Sequence, residues 1–311
     1  MDRTDLHPEI ADTIARLPRL PFASRTFLPL ARMVYDLASR SKVMDGVEVR
    51  SITAGNIDML AFSNPAKPSR AGVLWIYGGG YLAGKPEHLN SLASRIALQT
   101  GATIFVPKYR LAPKHPFPAA LEDCQSAWKW MIENANTFGI EKDQLAIGGN
   151  SAGGGLAASL VHWISDQRGV QPRSQILFYP MLDDRTAANQ DLDTIGHFIW
   201  DNKTNRVAWG AYLSPNTAGA DELPDYAVPA RRRDLRGLPK TWIGQCMLDL
   251  FAAENADYAK RLNDAGVTCE VEQVDAVPHA FEAICPDASI SEAFVTSAIE
   301  FLQDTLGGTH D

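Results

Sequence analysis

Residues 148–155, with the sequence GGNSAGGG, present a serine whose surroundings could make it a nucleophile. Ser151 is central in the pattern G-x-S-x-G, whose glycines leave room for a sharp strand-to-helix turn that exposes the hydroxyl above a sheet. An apolar run precedes the motif, and Leu156, Leu160 and Ile164 recur every four residues after it, as in a helix that faces a core. The motif is short, so an ordinary glycine-rich turn is the alternative interpretation.

A nucleophilic serine needs a base that takes its proton and an acid that orients the base. When the serine lies on this kind of turn, the acid and then the base follow at later strand ends. His279 lies in the loop after the last predicted strand, and Asp249 follows the strand before it. His279 alone could be a loop histidine without a catalytic role, and Asp249 could cap a helix that starts at Leu250. Asp257 and Asp275 are weaker candidates for the acid.

Acyl transfer from such a serine also needs donors for the negative oxygen of the tetrahedral intermediate. The backbone N–H groups of residues 78–80, three consecutive glycines, and of Ala152 are the natural set. A phosphate-binding loop is the alternative for the glycines, but the remainder of G-x-x-x-x-G-K-[ST] is missing.

The elements that would position these groups alternate between strands and helices, which predicts an α/β fold with a mostly parallel sheet and helices on both faces. The pattern contains eight strand signals, at residues 47–52, 57–62, 71–77, 103–107, 144–148, 174–180, 240–246 and 269–274. Two segments break the alternation. Residues 1–45 have helical patterns, and residues 185–223 contain aromatic residues but no clear strand, which predicts a helical insertion above the carboxyl ends of the strands.

The composition indicates a soluble globular protein, since 45% of the 311 residues are hydrophobic and 21% are charged. The formal net charge of −8 argues against nucleic acid or an anionic membrane as a partner. The N-terminus has no apolar stretch typical of a signal peptide, and no later run reaches the roughly 18 apolar residues of a membrane span. We therefore expect a cytoplasmic protein without stable membrane insertion. The four cysteines have no C-x-x-C spacing, which favours reduced core residues over metal ligands or disulfides.

These motifs together resemble those of the bacterial hormone-sensitive lipase family of esterases and lipases, within the α/β-hydrolase fold. The resemblance is carried by residues 75–81, 109–123, 149–154, 234–239, 249–259 and 279–281. It implies a carboxylic ester hydrolase that forms an acyl-enzyme and needs no metal or other cofactor. It also implies a helical cap made of residues 1–45 and 185–223 on a catalytic domain made of residues 46–184 and 224–311.

The resemblance assigns roles to individual positions. Ser151 matches the nucleophile, Asp249 the acid and His279 the base. The expected oxyanion-hole donors are Gly79, Gly80 and Ala152. The residues expected to support the loop or line the pocket are Tyr77, Gly78, Asn150, Phe198 and Trp200.

Three positions depart from the family pattern. The usual H-G-G-G has Tyr77 at its first position, the usual G-D-S-A-G-G has Asn150 in place of the aspartate, and the usual H-G-F is His-Ala-Phe at residues 279–281. Because the oxyanion donors are backbone groups, Tyr77 need not abolish them, but it must orient the loop by a different contact. We expect these changes to affect the rate, the pH optimum and the choice of substrate more than the type of reaction.

The leading hypothesis is an esterase for short-chain acyl or small aromatic esters, because the predicted triad, the glycine loop and an aromatic cap occur together. A lactonase or an amidase that uses the same site is one alternative. A small-molecule binding protein of the same fold, without catalysis, is another. Family members often pair through the edge strand, here residues 269–274, so a homodimer through this edge is a further expectation.

Overall fold

The structure is a computed structural model, and it describes residues 1–18, 22 and 27–307. Across these residues eight strands form a single sheet, in the spatial order β1-β2-β4-β3-β5-β6-β7-β8. The strands are β1 (Glu48–Ala54), β2 (Ile57–Ser63), β3 (Gly72–Ile76), β4 (Thr103–Pro107), β5 (Leu145–Asn150), β6 (Ser174–Phe178), β7 (Lys240–Cys246) and β8 (Cys269–Val274). β2 pairs antiparallel with both β1 and β4, and all other neighbours pair in parallel. The predicted eight-stranded, mostly parallel sheet is therefore confirmed.

The central strands are apolar on both faces because helices cover both faces of the sheet. Every residue of β3, β4 and β6 is buried, whereas the edge strand β8 has only half-buried and exposed residues. This difference explains why the central strands were recognisable as continuous apolar runs and β8 was not.

Ten α-helices fall within the described residues. They are α1 (Pro8–Ala15), α2 (Leu28–Ala38), α3 (Asn90–Thr100), α4 (Ala119–Asn134), α5 (Ala152–Gln167), α6 (Asp184–Ala188), α7 (Asn202–Leu213), α8 (Ala252–Asp264), α9 (Phe281–Ile284) and α10 (Ser289–Leu306). α3 packs against α10, and α4 packs against α5. None of the helices, as far as the structure describes them, is both long enough and apolar enough to cross a membrane.

The two segments predicted to form a cap contain helices. Residues 1–45 hold α1 and α2, although residues 19–21 and 23–26 lie outside the described residues, and residues 185–223 hold most of α6 and all of α7. The guanidinium group of Arg32 on α2 donates to the carbonyl oxygens of Leu82 and Ala112 at 2.6 and 2.7 Å. The N-terminal amino group donates to the carbonyl oxygen of Ile195 at 3.1 Å. The N-terminal segment thus contacts both the inserted segment and the loop that follows β3.

Candidate active site

Ser151 lies on the turn between β5 and α5, with a backbone conformation that few side chains adopt. Its φ is 57° and its ψ is −124°, and a positive φ is strained for any residue other than glycine. The turn depends on its two flanking glycines. A Cβ on Gly149 would collide with the backbone of Gly153, and a Cβ on Gly153 would collide with the carbonyl oxygens of Ile76 and Tyr77. The G-x-S-x-G pattern is therefore a steric requirement of this turn.

The structure brings Ser151, His279 and Asp249 into one chain of hydrogen bonds. Nε2 of His279 lies 2.8 Å from Oγ of Ser151, and Nδ1 of His279 lies 2.7 Å from Oδ2 of Asp249. All three residues are buried, with exposed fractions of 7% for Ser151 and 4% for each of the other two. In this geometry Nε2 can accept the serine proton while the carboxylate holds the N–H on the other ring nitrogen.

Asp249 follows β7 and precedes α8, and it is not the N-cap of that helix. α8 begins at Ala252, and its N-cap is Phe251. The alternative in which Asp249 caps a helix starting at Leu250 is therefore wrong. Instead Oδ1 of Asp249 accepts a hydrogen bond of 3.3 Å from the backbone N–H of Phe251, which leaves Oδ2 for His279.

The two weaker candidates for the acid lie elsewhere. Asp257 is on α8, where its side chain is 59% exposed and pairs with Arg261 at 3.8 Å. The carboxylate of Asp275 accepts a hydrogen bond of 3.1 Å from the side chain of Gln273. Of the three aspartates, Asp249 is the one whose carboxylate contacts His279.

The glycine loop after β3 lies directly against the serine turn. A Cβ on Gly78 would lie 2.8 Å from the carbonyl oxygen of Asn150 and 3.0 Å from Cβ of Ser151. Gly79 and Gly80 both have positive φ, of 124° and 60°, which glycine adopts readily. Their backbone N–H groups and that of Ala152, the first residue of α5, belong to two segments in contact at Ser151, as an oxyanion hole requires.

Tyr77 and Tyr109 fix the start of this loop. Their rings stack with centroids 4.3 Å apart and planes inclined by 18°. The Tyr77 hydroxyl donates to the Tyr109 carbonyl oxygen at 3.3 Å, and the Tyr109 hydroxyl donates to the Tyr77 carbonyl oxygen at 2.9 Å. Burial raises the pKa of both phenols well above the usual value, so both keep their protons and remain donors.

Trp200, from the inserted segment, covers the glycine loop. A Cβ on Gly80 would collide with the six-membered ring of Trp200. The indole N–H donates to Oδ1 of Asn205 at 3.3 Å, and the indole ring centroid lies 6.5 Å from that of His279. The backbone N–H of Trp200 donates to the carbonyl oxygen of Phe198 at 2.6 Å across Ile199, whose φ is 62°. This is the rare, strained form of the three-residue γ-turn, and it directs Trp200 toward the loop.

Phe198 accepts the hydrogen bond of this turn, so both predicted pocket aromatics belong to it. The side chain of Phe198 is half-buried against the core. Phe22 adds a third aromatic ring, with its centroid 6.3 Å from that of Trp200.

Sequence reasoning missed two residues beside the histidine. The ring of Tyr179, the residue after β6, meets the imidazole of His279 edge to face with centroids 4.7 Å apart. Its hydroxyl donates to Oε1 of Glu282, three residues after His279, at 2.5 Å. The position of Tyr179 directly after a central parallel strand was an available signal, since the carboxyl ends of these strands form the site. Glu282 had no comparable signal.

The described residues contain no group of three histidine, cysteine, aspartate or glutamate side chains arranged to hold a metal ion. The residues gathered around Ser151 are instead a histidine that is hydrogen-bonded to both the serine and a carboxylate, and a loop of backbone N–H groups. This set can transfer an acyl group through the serine and then to water.

Comparison with known proteins finds similar chains. Residues 73–283 match a family model described as the alpha/beta hydrolase fold. An ethyl acetate hydrolase from Pseudomonas putida is 29% identical over 240 residues, which are 76% of this chain and 74% of that protein. The esterase LipI from Mycobacterium tuberculosis is 30% identical over 234 residues, covering 73% of this chain and 72% of LipI. The solved structure of a bacterial heroin esterase superposes with a TM-score of 0.91, at 30% identity, over 97% of this chain and 98% of that one.

Proposed function

The chain belongs to the hormone-sensitive lipase family of α/β hydrolases and is a carboxylic ester hydrolase, and from this premise we propose that Ser151, His279 and Asp249 are its catalytic triad. The observation that carries this proposal is the continuous hydrogen-bond chain from Oγ of Ser151 through both ring nitrogens of His279 to Oδ2 of Asp249.

In the proposed mechanism Oγ of Ser151 attacks the ester carbonyl carbon while Nε2 of His279 takes the hydroxyl proton. The carbonyl oxygen becomes an oxyanion, which the N–H groups of Gly79, Gly80 and Ala152 stabilise. The protonated imidazole gives its proton to the leaving alcohol, and an acyl-enzyme remains. Water then attacks the acyl carbon with His279 again as base, which releases the acid and restores Ser151. Asp249 keeps the imidazole in the required tautomer and stabilises its protonated form.

We propose short-chain acyl or small aromatic esters as substrates. The support is the crowding above the serine, where the ring of Trp200 lies against Gly80 and Ser151 is only 7% exposed. The ethyl acetate hydrolase among the relatives carries the name of a small ester. Phe198 and Trp200 would form the wall that limits the size of the group bound there.

The test is a series of p-nitrophenyl esters from acetate to decanoate, together with an ester of a small aromatic acid. We expect kcat/KM to be highest for acetate to butyrate and the activity to vanish in Ser151→Ala. A fluorophosphonate probe should label Ser151 in the parent and not in that variant. Ser126→Ala is the matched control, because it removes an exposed helical serine and should keep full activity. Activity that survives Ser151→Ala would refute the triad, and a preference for lactones or anilides over the open-chain esters in a parallel assay would favour a lactonase or an amidase instead.

We further propose that residues 1–45 and 185–223 act as a helical cap on a catalytic domain of residues 46–184 and 224–311. The contacts of Arg32 with the loop after β3 and of Trp200 with Gly80 support this division. Hydrogen exchange that is faster in the two cap segments than in the central strands would be the expected result.

A homodimer through β8 and a cytoplasmic location complete the proposal. β8 is the last strand of the sheet, and Val271 on it is 42% exposed. Sedimentation of the parent as a dimer and of Val271→Lys as a monomer would support this pairing.

The proposed cytoplasmic location is supported by the cysteines. All four are free thiols, which suits a reducing compartment. Recovery of activity with a cytoplasmic marker after cell fractionation would be the supporting result for the location. The net charge of −8 supports small esters, and not nucleic acid, as the partners.

A further inference from the structure

A buried polar network lies behind the histidine of the proposed triad, and the proposed mechanism does not use it. Tyr179 is fully buried and Glu282 is 6% exposed. The Tyr179 hydroxyl donates to Oε1 of Glu282 at 2.5 Å, while the edge-to-face contact with His279 joins the same tyrosine to the base. A buried carboxylate is costly unless it is hydrogen-bonded, so its presence beside the base calls for a reason.

The third member of the network is Asn150, the residue before the nucleophile. Its side chain faces the Tyr179 hydroxyl and lowers the pKa of that phenol. Because Tyr179 gives its one hydroxyl proton to Glu282, the only hydrogen bond that Asn150 could form with this oxygen is one that its amide N–H donates. Consistently, Oδ1 of Asn150 has no partner among the described residues.

This arrangement gives a physical reason for Asn150 in place of the aspartate of the family pattern. An aspartate at this position would compete with Glu282 for the single proton of Tyr179, and two buried carboxylates would then face one oxygen. An amide avoids this repulsion because it can donate.

The charges around Glu282 come from several elements. His279 lies just before α9, which carries Glu282, Tyr179 follows β6, and Cys246 ends β7. The pKa of Glu282 lies above its usual value because burial raises it by more than the hydrogen bond from Tyr179 and the charge of His279 lower it. Burial raises the pKa of Tyr179 and of Cys246 well above their usual values, so both stay neutral. The fourth neighbour, Phe294 on α10, stacks on Tyr179 and brings no charge.

We propose that Glu282 is a positioning residue that acts through Tyr179 on the ring of His279 and supplies the negative charge that Asn150 does not. This inference rests on the proposed role of His279 as the base. The ionised carboxylate favours the protonated imidazole, which is the form that develops as the serine proton is transferred. The Tyr179 ring meanwhile fixes the plane of the imidazole.

The test compares the pH profile of kcat/KM in the parent, in Glu282→Gln and in Glu254→Gln. Glu254 is the matched control, because it is a buried glutamate that accepts hydrogen bonds from the backbone of Leu182 and Asp183 and does not contact His279. In Glu282→Gln we expect the acid limb to move to lower pH by about 0.5–1 unit and kcat to fall by about 3- to 10-fold. The limb should not move in Glu254→Gln, even if that variant is less stable. The proposal is overturned if the acid limb of the pH profile does not move in folded Glu282→Gln, or if it moves equally in Glu254→Gln.

A carboxylate swap tests the same point without relying on one variant. We expect Asn150→Asp alone to lower kcat and Asn150→Asp/Glu282→Gln to recover most of the activity that either single change loses. If Glu282→Gln fails to fold, a double variant that recovers folding and activity supports the proposal. A double variant that recovers neither folding nor activity overturns it. Fluorophosphonate labelling checks the proposed function separately. A parent that is labelled at Ser151 and active, but whose double variant shows no recovery, contradicts the role of Glu282 alone.

Discussion

Tyr77 and Tyr109 each donate a hydroxyl proton to the backbone carbonyl oxygen of the other, with their rings stacked 4.3 Å apart. This reciprocal pair joins the end of β3 to the segment after β4, at the point where the glycine loop begins. The family pattern has a histidine in place of Tyr77, so the stack is the different contact that this departure required. The stack holds the loop backbone without placing a titrating group near the proposed oxyanion donors.

The tyrosine pair predicts that either hydroxyl matters for both stability and rate. Tyr109→Phe leaves the buried carbonyl oxygen of Tyr77 without its donor, which should cost about 1–3 kcal/mol of unfolding free energy. We expect kcat to fall by about 10-fold as well, because the proposed oxyanion donors follow directly along the chain. Urea unfolding and steady-state kinetics measure the two effects. Tyr226→Phe is the control, since it removes a hydroxyl that bonds Asp166 far from the loop. A normal kcat in Tyr109→Phe would show that the pair does not hold the loop.

The glycines of the serine turn predict a sharp contrast between two helical positions. Gly153→Ala places a methyl group against the carbonyl oxygens of Ile76 and Tyr77, and neither backbone can move without displacing β3. We expect this variant to be inactive and strongly destabilised. Gly210→Ala on α7 meets no atom within 4 Å and should gain about 0.5–1 kcal/mol, because alanine is the better helix former. Thermal unfolding measures the stability of both variants, and an ester hydrolysis assay measures their activity. An active Gly153→Ala would contradict the close contact between the serine turn and the end of β3.

Trp200 predicts the limit on substrate size. Trp200→Ala removes the ring that lies against Gly80, so esters of longer acids should gain access to the site. We expect the ratio of kcat/KM for octanoate to that for acetate to rise by about 10-fold, the effect of one or two methylene groups in a pocket. Trp163→Ala is the control, because this tryptophan lies on α5 under the ammonium group of Lys129. An unchanged ratio in Trp200→Ala would remove Trp200 from the pocket wall.

The close approach of Ser151, Asp249 and His279 could be predicted, because each follows a recognisable strand and parallel strands bring their carboxyl ends to one edge of the sheet. The glycine positions could also be predicted, since steric demands of a turn are local in sequence. Trp200 lies in the inserted segment, but its direction depends on a positive φ at Ile199, which no local rule favours for a β-branched residue.

The partners of the base were harder to predict, because tertiary packing decides which polar groups meet. Tyr179 and Glu282 are 103 positions apart, and nothing in the spacing indicates that one donates to the other. The competing interpretation of Asp249 as a helix cap failed for a similar reason. The start of α8 at Ala252 is set by how the chain leaves β7, and cap preference alone does not determine it.

His162 predicts how stability depends on pH. Its Nε2 lies 2.8 Å from the Tyr258 hydroxyl in a fully buried site, and burial lowers the pKa of this histidine to about 3. A folded-state pKa below the unfolded value of about 6.5 means that stability is complete above that pH and is lost as the pH falls toward 3. We expect this group to remove about 1.4 kcal/mol per pH unit over that window, or about 2 kcal/mol at pH 5. Urea unfolding at pH 7 and pH 5 should therefore show a smaller loss in His162→Gln than in the parent. His115→Gln, at a half-buried loop position, should lose as much as the parent, since the other titrating groups are common to all three proteins. An equal loss in His162→Gln and the parent would mean that His162 is protonated in the folded state.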